Sequence, residues 1–98
     1  MGNRIIWAPE AEKDFILILD YLDKNWGSLV VTTFINKVDS HIGLIVKDPQ
    51  LFPIINLDLQ IRKCVVTKQN TLFYRVKNND IEIVRLFDTR QNPDTLNF

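Results

Sequence analysis

The chain holds one cysteine, Cys64, so it has no internal disulfide and no mark of an oxidising compartment. It has one histidine, His41, far from Cys64 in the chain, and the two make no metal site. GxxxxGK, GxGxxG, CxxC and HExxH are absent, so neither a cofactor nor a metal ion is expected. An excess of charge is also missing: 12 basic residues balance 12 acidic ones. That weighs against a protein whose affinity rests on phosphate contacts. The longest unbroken apolar run, Phe15 to Leu19, is too short to span a membrane. The opening stretch MGNRIIWAPEAEKD lacks the apolar run of a secretory signal. Myristoylation at Gly2 would want Ser or Thr at position 6, where Ile6 stands. These absences point to a cytoplasmic protein with no membrane partner.

What is present is an ordinary globular composition, 46% hydrophobic and 24% charged over 98 residues. One domain over 1–98 is expected, with a real core and modest stability. Residues 1–49 carry 5 Lys/Arg and 7 Asp/Glu, or −2; residues 50–98 carry 7 and 5, or +2. Solvated charges account for so small a bias.

Residues 3–7 (NRIIW) read as a short strand. Ala8-Pro9-Glu10 then opens a helix, with Pro at its first turn and Glu10, Glu12 and Asp14 at the positive end of its dipole. Ala11, Phe15, Ile18, Leu22 and Trp26 form its apolar stripe, with Asp14 at the flank of the polar face. Gly27 ends it. Ser28 is the expected N-cap of a second helix, whose stripe is Val31, Phe34, Ile35, Val38, Ile42 and Ile45 and which ends before Asp48-Pro49. So short a joint predicts an antiparallel hairpin. Residues 48–58 read as a loop. Residues 59–67, 71–77 and 80–88 are rich in β-branched and aromatic types and read as strands. Asn78-Asn79 suits a type I′ turn between the last two. The closing residues TRQNPDTLNF read as an irregular tail. The expected fold is α+β, in the order β-α-α-β-β-β: a helical hairpin packed on one face of an antiparallel sheet, with the first strand joining that sheet.

IRKCVV (61–66), LFYRV (72–76), IEIVRLF (81–87) and TRQNP (89–93), with the opening IIWAPEAEKDF, resemble the RelE/ParE toxin superfamily over nearly the whole chain. The resemblance implies the poison half of a type II toxin–antitoxin pair, with a cognate antitoxin as partner. RelE-like members cut messenger RNA on the ribosome; ParE-like members poison DNA gyrase and are not nucleases.

Metal-free RNA cleavage needs a group to activate the 2′-hydroxyl, cations to stabilise the phosphorane and a proton donor for the leaving oxygen. RelE-like nucleases resemble that plan, with Lys and Arg on the central strands and a Tyr or His near the C-terminus. Here alternation puts Arg62, Cys64 and Val66 on one strand face, and only Arg62 among them is basic. Arg90 matches the family's late Arg, but Leu96 stands where the nuclease places its aromatic acid/base. The expectation is therefore ParE-like: DNA gyrase as target, and no enzyme activity. Two alternatives stay open: a ribosome-dependent mRNA endoribonuclease using Arg62 and Arg90, and a non-toxic relative that keeps the antitoxin-binding fold.

Candidate contact residues for target or antitoxin are Arg62, Arg75, Arg85, Asp88, Arg90 and Gln91. The plainer reading of Arg75 and Arg85 is a solvated sheet face with ion pairs to Glu82 or Asp88. Arg90 either bridges the tail to the sheet or contacts the target. Tyr74 and Cys64 read as core, and His41 as helix surface. Trp7 and Trp26 are expected to pack in the core. Leu17 and Tyr21 fall on the polar side of the first helix, as ordinary exposed residues or partner contacts. Leu51-Phe52-Pro53-Ile54-Ile55 either tucks into the core or joins an apolar patch that an antitoxin covers.

Overall fold

The computed structural model describes residues 4–91, 93–96 and 98. Asn3 of the expected first strand, Asn92 of the closing TRQNP and Asn97 of the tail lie outside the described residues. The chain runs β1 (Ile5–Trp7), α1 (Pro9–Trp26), α2 (Ser28–Lys47), β2 (Ile54–Asn56), β3 (Ile61–Val65), β4 (Asn70–Lys77) and β5 (Asp80–Asp88), then a 3-10 turn at Pro93–Thr95. The sheet order is β1-β5-β4-β3-β2. β1 pairs parallel to β5 and every other pairing is antiparallel.

Pro9 opens α1 at the position where a missing N–H costs nothing. Gly27 is the whole joint of the hairpin. Its N–H donates to the carbonyls of Leu22 (3.2 Å) and Asp23 (3.1 Å), and its own carbonyl accepts from Val31 (3.4 Å). It does this at φ 91°, ψ 179°, a region open almost only to glycine. Ser28 is therefore the first residue of α2 and not its cap; Gly27 holds that position and no side chain caps the helix. By length and composition alone α2 is apolar enough to cross a membrane. Here its stripe packs in the core, with Phe34, Val38 and Ile45 buried.

Residues 48–58, expected as loop, contain β2. Ile54 lies opposite Arg62 and Asn56 opposite Ile61, and Pro53, which has no N–H to give, accepts from the Lys63 N–H at 3.0 Å. Phe52 and Ile54 turn inward while Leu51 and Ile55 stay exposed, so this apolar stretch is half tucked and half open. At the β4–β5 turn Asn78 and Asn79 take φ 53° and 66°, the positive values a type I′ turn demands.

The main core lies between the hairpin and one sheet face. Ala11, Ile18, Phe34, Val38 and Ile45 meet Cys64, Leu72, Tyr74, Ile81, Ile83 and Leu86 there. Trp7 stacks on Phe15 at 5.1 Å. Trp26 does not join them: at the end of α1 it is 67% exposed. A second, smaller cluster of Ile61, Phe73 and Phe87 lies on the other face, with Leu96 packed against it and Phe98 edge-on to Phe73 at 5.1 Å.

Candidate functional site

β1 spans only Ile5–Trp7, so it pairs with β5 no further than Ile83, where the Ala8 N–H closes the ladder at 2.9 Å. Beyond that point β5 is an open edge, and α1 lies across it. Asp14 supplies what the missing strand would have given: its Oδ2 accepts from the Leu86 N–H at 3.1 Å. The same carboxylate takes the Arg85 guanidinium in a fork, Nε at 2.7 Å and Nη2 at 3.0 Å. Arg85 Nη1 then reaches the Thr95 carbonyl at 3.1 Å. Strand, helix and tail are thus tied at one buried ion pair, Asp14 being 6% and Arg85 8% exposed. The hydrogen bond to Asp14 raises the Arg85 pKa above its ordinary value, against the opposing effect of burial. A bulge in β5, where Tyr74 faces Ile83 and Phe73 faces Arg85, places Arg85 in this pairing.

At the end of β5 the chain turns back on itself. The Asp88 carboxylate accepts from the backbone N–H of Arg90 at 2.9 Å and from its Nε at 2.8 Å. Gln91 Oε1 accepts from the Asp88 N–H at 3.3 Å. The Arg90 guanidinium lies over the Tyr21 ring, 4.5 Å from its centroid. Burial pushes the Asp88 carboxyl up, but the bonds and charge of Arg90 together outweigh it and hold it below the ordinary value. Leu17, Ile18 and Tyr21 of α1 complete a shallow groove with Asp88, Arg90 and Gln91.

The six candidate contact residues therefore divide. Asp88, Arg90 and Gln91 come together, and Arg85 shares a neighbouring groove with Gln91. Arg75 pairs with Glu82 at 2.6 Å on the sheet, one of the partners expected for it. Arg85 departs from expectation: it is not on a solvated face and pairs with neither Glu82 nor Asp88. Arg62 stands apart, in the row Arg62–Tyr74–Ile83, and its Nη1 donates to the carbonyls of Phe52 (2.6 Å) and Gln50 (3.3 Å). Arg62 and Arg90 thus line different grooves. Tyr74 is fully buried, with its hydroxyl on the Pro49 carbonyl at 2.8 Å and its pKa pushed by burial to about 12. Burial likewise pushes the Cys64 thiol to about 11. His41 is half-buried and donates from Nδ1 to the Lys37 carbonyl at 2.7 Å in one tautomer. Among the described residues no group of three or more His, Cys, Asp or Glu could hold a metal ion.

Asp14 is the member that sequence reasoning missed; Tyr21 was expected as an ordinary exposed residue or a partner contact, and not beneath the Arg90 guanidinium. Asp14 sits three residues after Ala11 and four before Ile18, at the margin of the apolar stripe. An acid there, with an arginine inside the apolar run IVRLF, was the available signal.

A helical hairpin on a five-stranded, mostly antiparallel sheet in this order is the RelE/ParE fold, a class of small toxins. Residues 5–93 match the family described as the ParE toxin of the type II toxin–antitoxin system parDE, and the chain belongs to that family. A chain of the chromosomal ParDE TA system from P. aeruginosa superposes with a TM-score of 0.73 at 16% identity, over 89% of this chain and 96% of that one. A YoeB/ParE toxin from Agrobacterium tumefaciens gives 0.66 at 12% identity, over 87% and 96%. A chain of the YoeB–YefM complex from Staphylococcus aureus gives 0.61 at 18%, over 89% and 97%. At these identities the structures speak for the fold alone. No curated protein sequence matches the chain.

Proposed function

We propose that this ParE-family chain is a toxin that inhibits DNA gyrase by direct binding in the cytoplasm, and that a cognate antitoxin neutralises it. The observation that carries the reading is that the groups a nuclease would need are already engaged. Arg85 is spent on Asp14, Arg62 Nη1 on two loop carbonyls, and Arg90 on Asp88. Tyr74 is sealed in the core with a raised pKa, the wrong direction for a proton donor near neutral pH. Leu96 packs against the sheet cluster and carries no titratable group. A binding-type toxin needs none of these groups free.

The test is pulse labelling after induced expression without antitoxin, following DNA and protein synthesis separately, with a supercoiling assay on purified gyrase beside it. DNA synthesis is expected to stop first, and supercoiling to fail at micromolar toxin. If protein synthesis stops first and message is cut in a translating extract, the nuclease alternative replaces this reading. Gyrase untouched, message intact and harmless expression together would make the chain a non-toxic relative.

A further inference from the structure

The apolar run from Phe15 to Leu19 lies in α1, but the core lies on only one side of that helix. Phe15, Ile18 and Leu19 pack into the core. Ile16 and Leu17 are left on the outward side, 59% and 52% exposed, at the middle of the helix. A shallow hollow beside them has Trp7 and Pro9 as its far wall, so the apolar surface continues from the helix to the end of β1. Scattered exposed apolar residues are ordinary, whereas a continuous patch rimmed by charge marks a contact.

The charges around the patch say what fits it. Lys13 stands one turn before Ile16 and Leu17, and Asp20 one turn after them, at the three- and four-residue spacings that make helix neighbours. Lys13 forms no ion pair among the described residues, and the Asp20 carboxylate has only the exposed Lys24, at 3.1 Å. A partner of one sign would satisfy one end of this face and be repelled by the other. A second copy of α1, laid antiparallel, answers both ends. A two-fold axis passing between Ile16 and Leu17 sets each of them against the other in the opposing helix. The same register sets Lys13 against Asp20 in both directions. The face is therefore self-complementary, as an isologous contact requires.

We propose that the outward face of α1 is a contact between two copies of this chain, packed antiparallel about a two-fold axis between Ile16 and Leu17. The Ile16 and Leu17 side chains of both copies bury one another at the centre, and Lys13 of each copy meets Asp20 of the other. One helix face per copy is smaller than a standard stable interface, so the dimer forms in the micromolar range and not the nanomolar. The inference goes beyond the toxin reading and does not depend on what the toxin acts on.

The test is sedimentation velocity of the full chain from about 1 µM to about 500 µM, a range that brackets such an affinity. Dimer is expected to appear within it. Ile16→Glu, at an exposed position, is expected to abolish the dimer. Lys13→Glu and Asp20→Lys each set like charges against one another across the axis, and each is expected to weaken association about tenfold. The double variant reverses both charges and is expected to associate as the parent does. Within one chain the two positions are two turns apart, roughly 10 Å along the helix, so such a rescue reports a contact between copies. Circular dichroism of each variant checks that the fold is kept. A chain that stays monomeric throughout leaves this face to some other protein and overturns the proposal. So does a dimer that survives Ile16→Glu, or a double variant that associates no better than the single ones.

Discussion

Asp14 and Arg85 are the residues on which most of the architecture converges. A buried ion pair is a poor source of net stability, but breaking it from one side strands a charge. Asp14→Ala would leave the Arg85 guanidinium buried without its carboxylate and the Leu86 N–H without an acceptor. The expected loss is about 3–5 kcal/mol in urea unfolding, and removing Arg85 in the same chain should return part of it. A loss under about 1 kcal/mol would mean that water reaches the pair. The Asp88–Arg90 pair makes a different point. Two opposed effects set the Asp88 carboxyl, burial raising it and Arg90 lowering it, with Arg90 the winner. Its folded value is depressed, so the stability it contributes is present above the unfolded value, near 3.8, and is lost as pH falls through the lower folded value. In Arg90→Ala only the backbone N–H of residue 90 still opposes burial, so the Asp88 carboxyl should rise, and cross above 3.8 where burial outweighs that one bond. A carbon-13 carboxyl titration by NMR reads this directly; a value still below 3.8 would mean that backbone donors, not Arg90, hold it down.

At the scale of elements, the hairpin turns on one residue. Nothing lies within 4 Å of where a Cβ on Gly27 would sit, so the only penalty of Gly27→Ala is the backbone at φ +91°. That predicts a loss of about 1–3 kcal/mol with the fold intact. An unchanged melting temperature would mean that the helices tolerate another joint. The helical stripes were legible because a 3.6-residue period runs through eighteen and twenty residues. Trp26 misled because periodicity names a face of the helix but not how far along that face the core extends. β2 stayed hidden for the opposite reason: three residues just after Pro53 carry too little pattern, and what makes them a strand is the edge that β3 offers. The pairing of Asp14 with Arg85 joins residues 71 positions apart, and no local pattern reports on it. The late motif around Asp88, Arg90 and Gln91 was legible as a feature. That Arg90 lies over Tyr21 emerged only once α1 was laid across β5.

Taken whole, the molecule has a sheet with both faces covered, but by very different means. The helical hairpin seals one face with a large cluster of apolar side chains. The other face has only Ile61, Phe73 and Phe87 in its cluster, and the tail lies over them through Leu96 and Phe98. The tail is held as well by the Arg85 bond to the Thr95 carbonyl. Its contribution can be bounded physically. Leu96 is half-buried and Phe98 is exposed by 42%, so together they bury roughly the apolar surface of one core side chain, about 2 kcal/mol. A chain ending at Gln91 should therefore keep its far-UV circular dichroism and lose about 10 °C in melting temperature, since 1 kcal/mol is worth roughly 4–8 °C in a domain of this size. It should also bind the dye ANS, because Phe73 and Phe87 would be uncovered. The hairpin, the Asp14–Arg85 fork and the Asp88–Arg90 turn all precede the cut, so the proposed gyrase inhibition should persist at temperatures where the shortened chain is folded. An unchanged melting temperature without dye binding would show that the tail merely rests on the sheet. Lost gyrase inhibition in a chain that still folds would instead place the tail itself in the contact with the target.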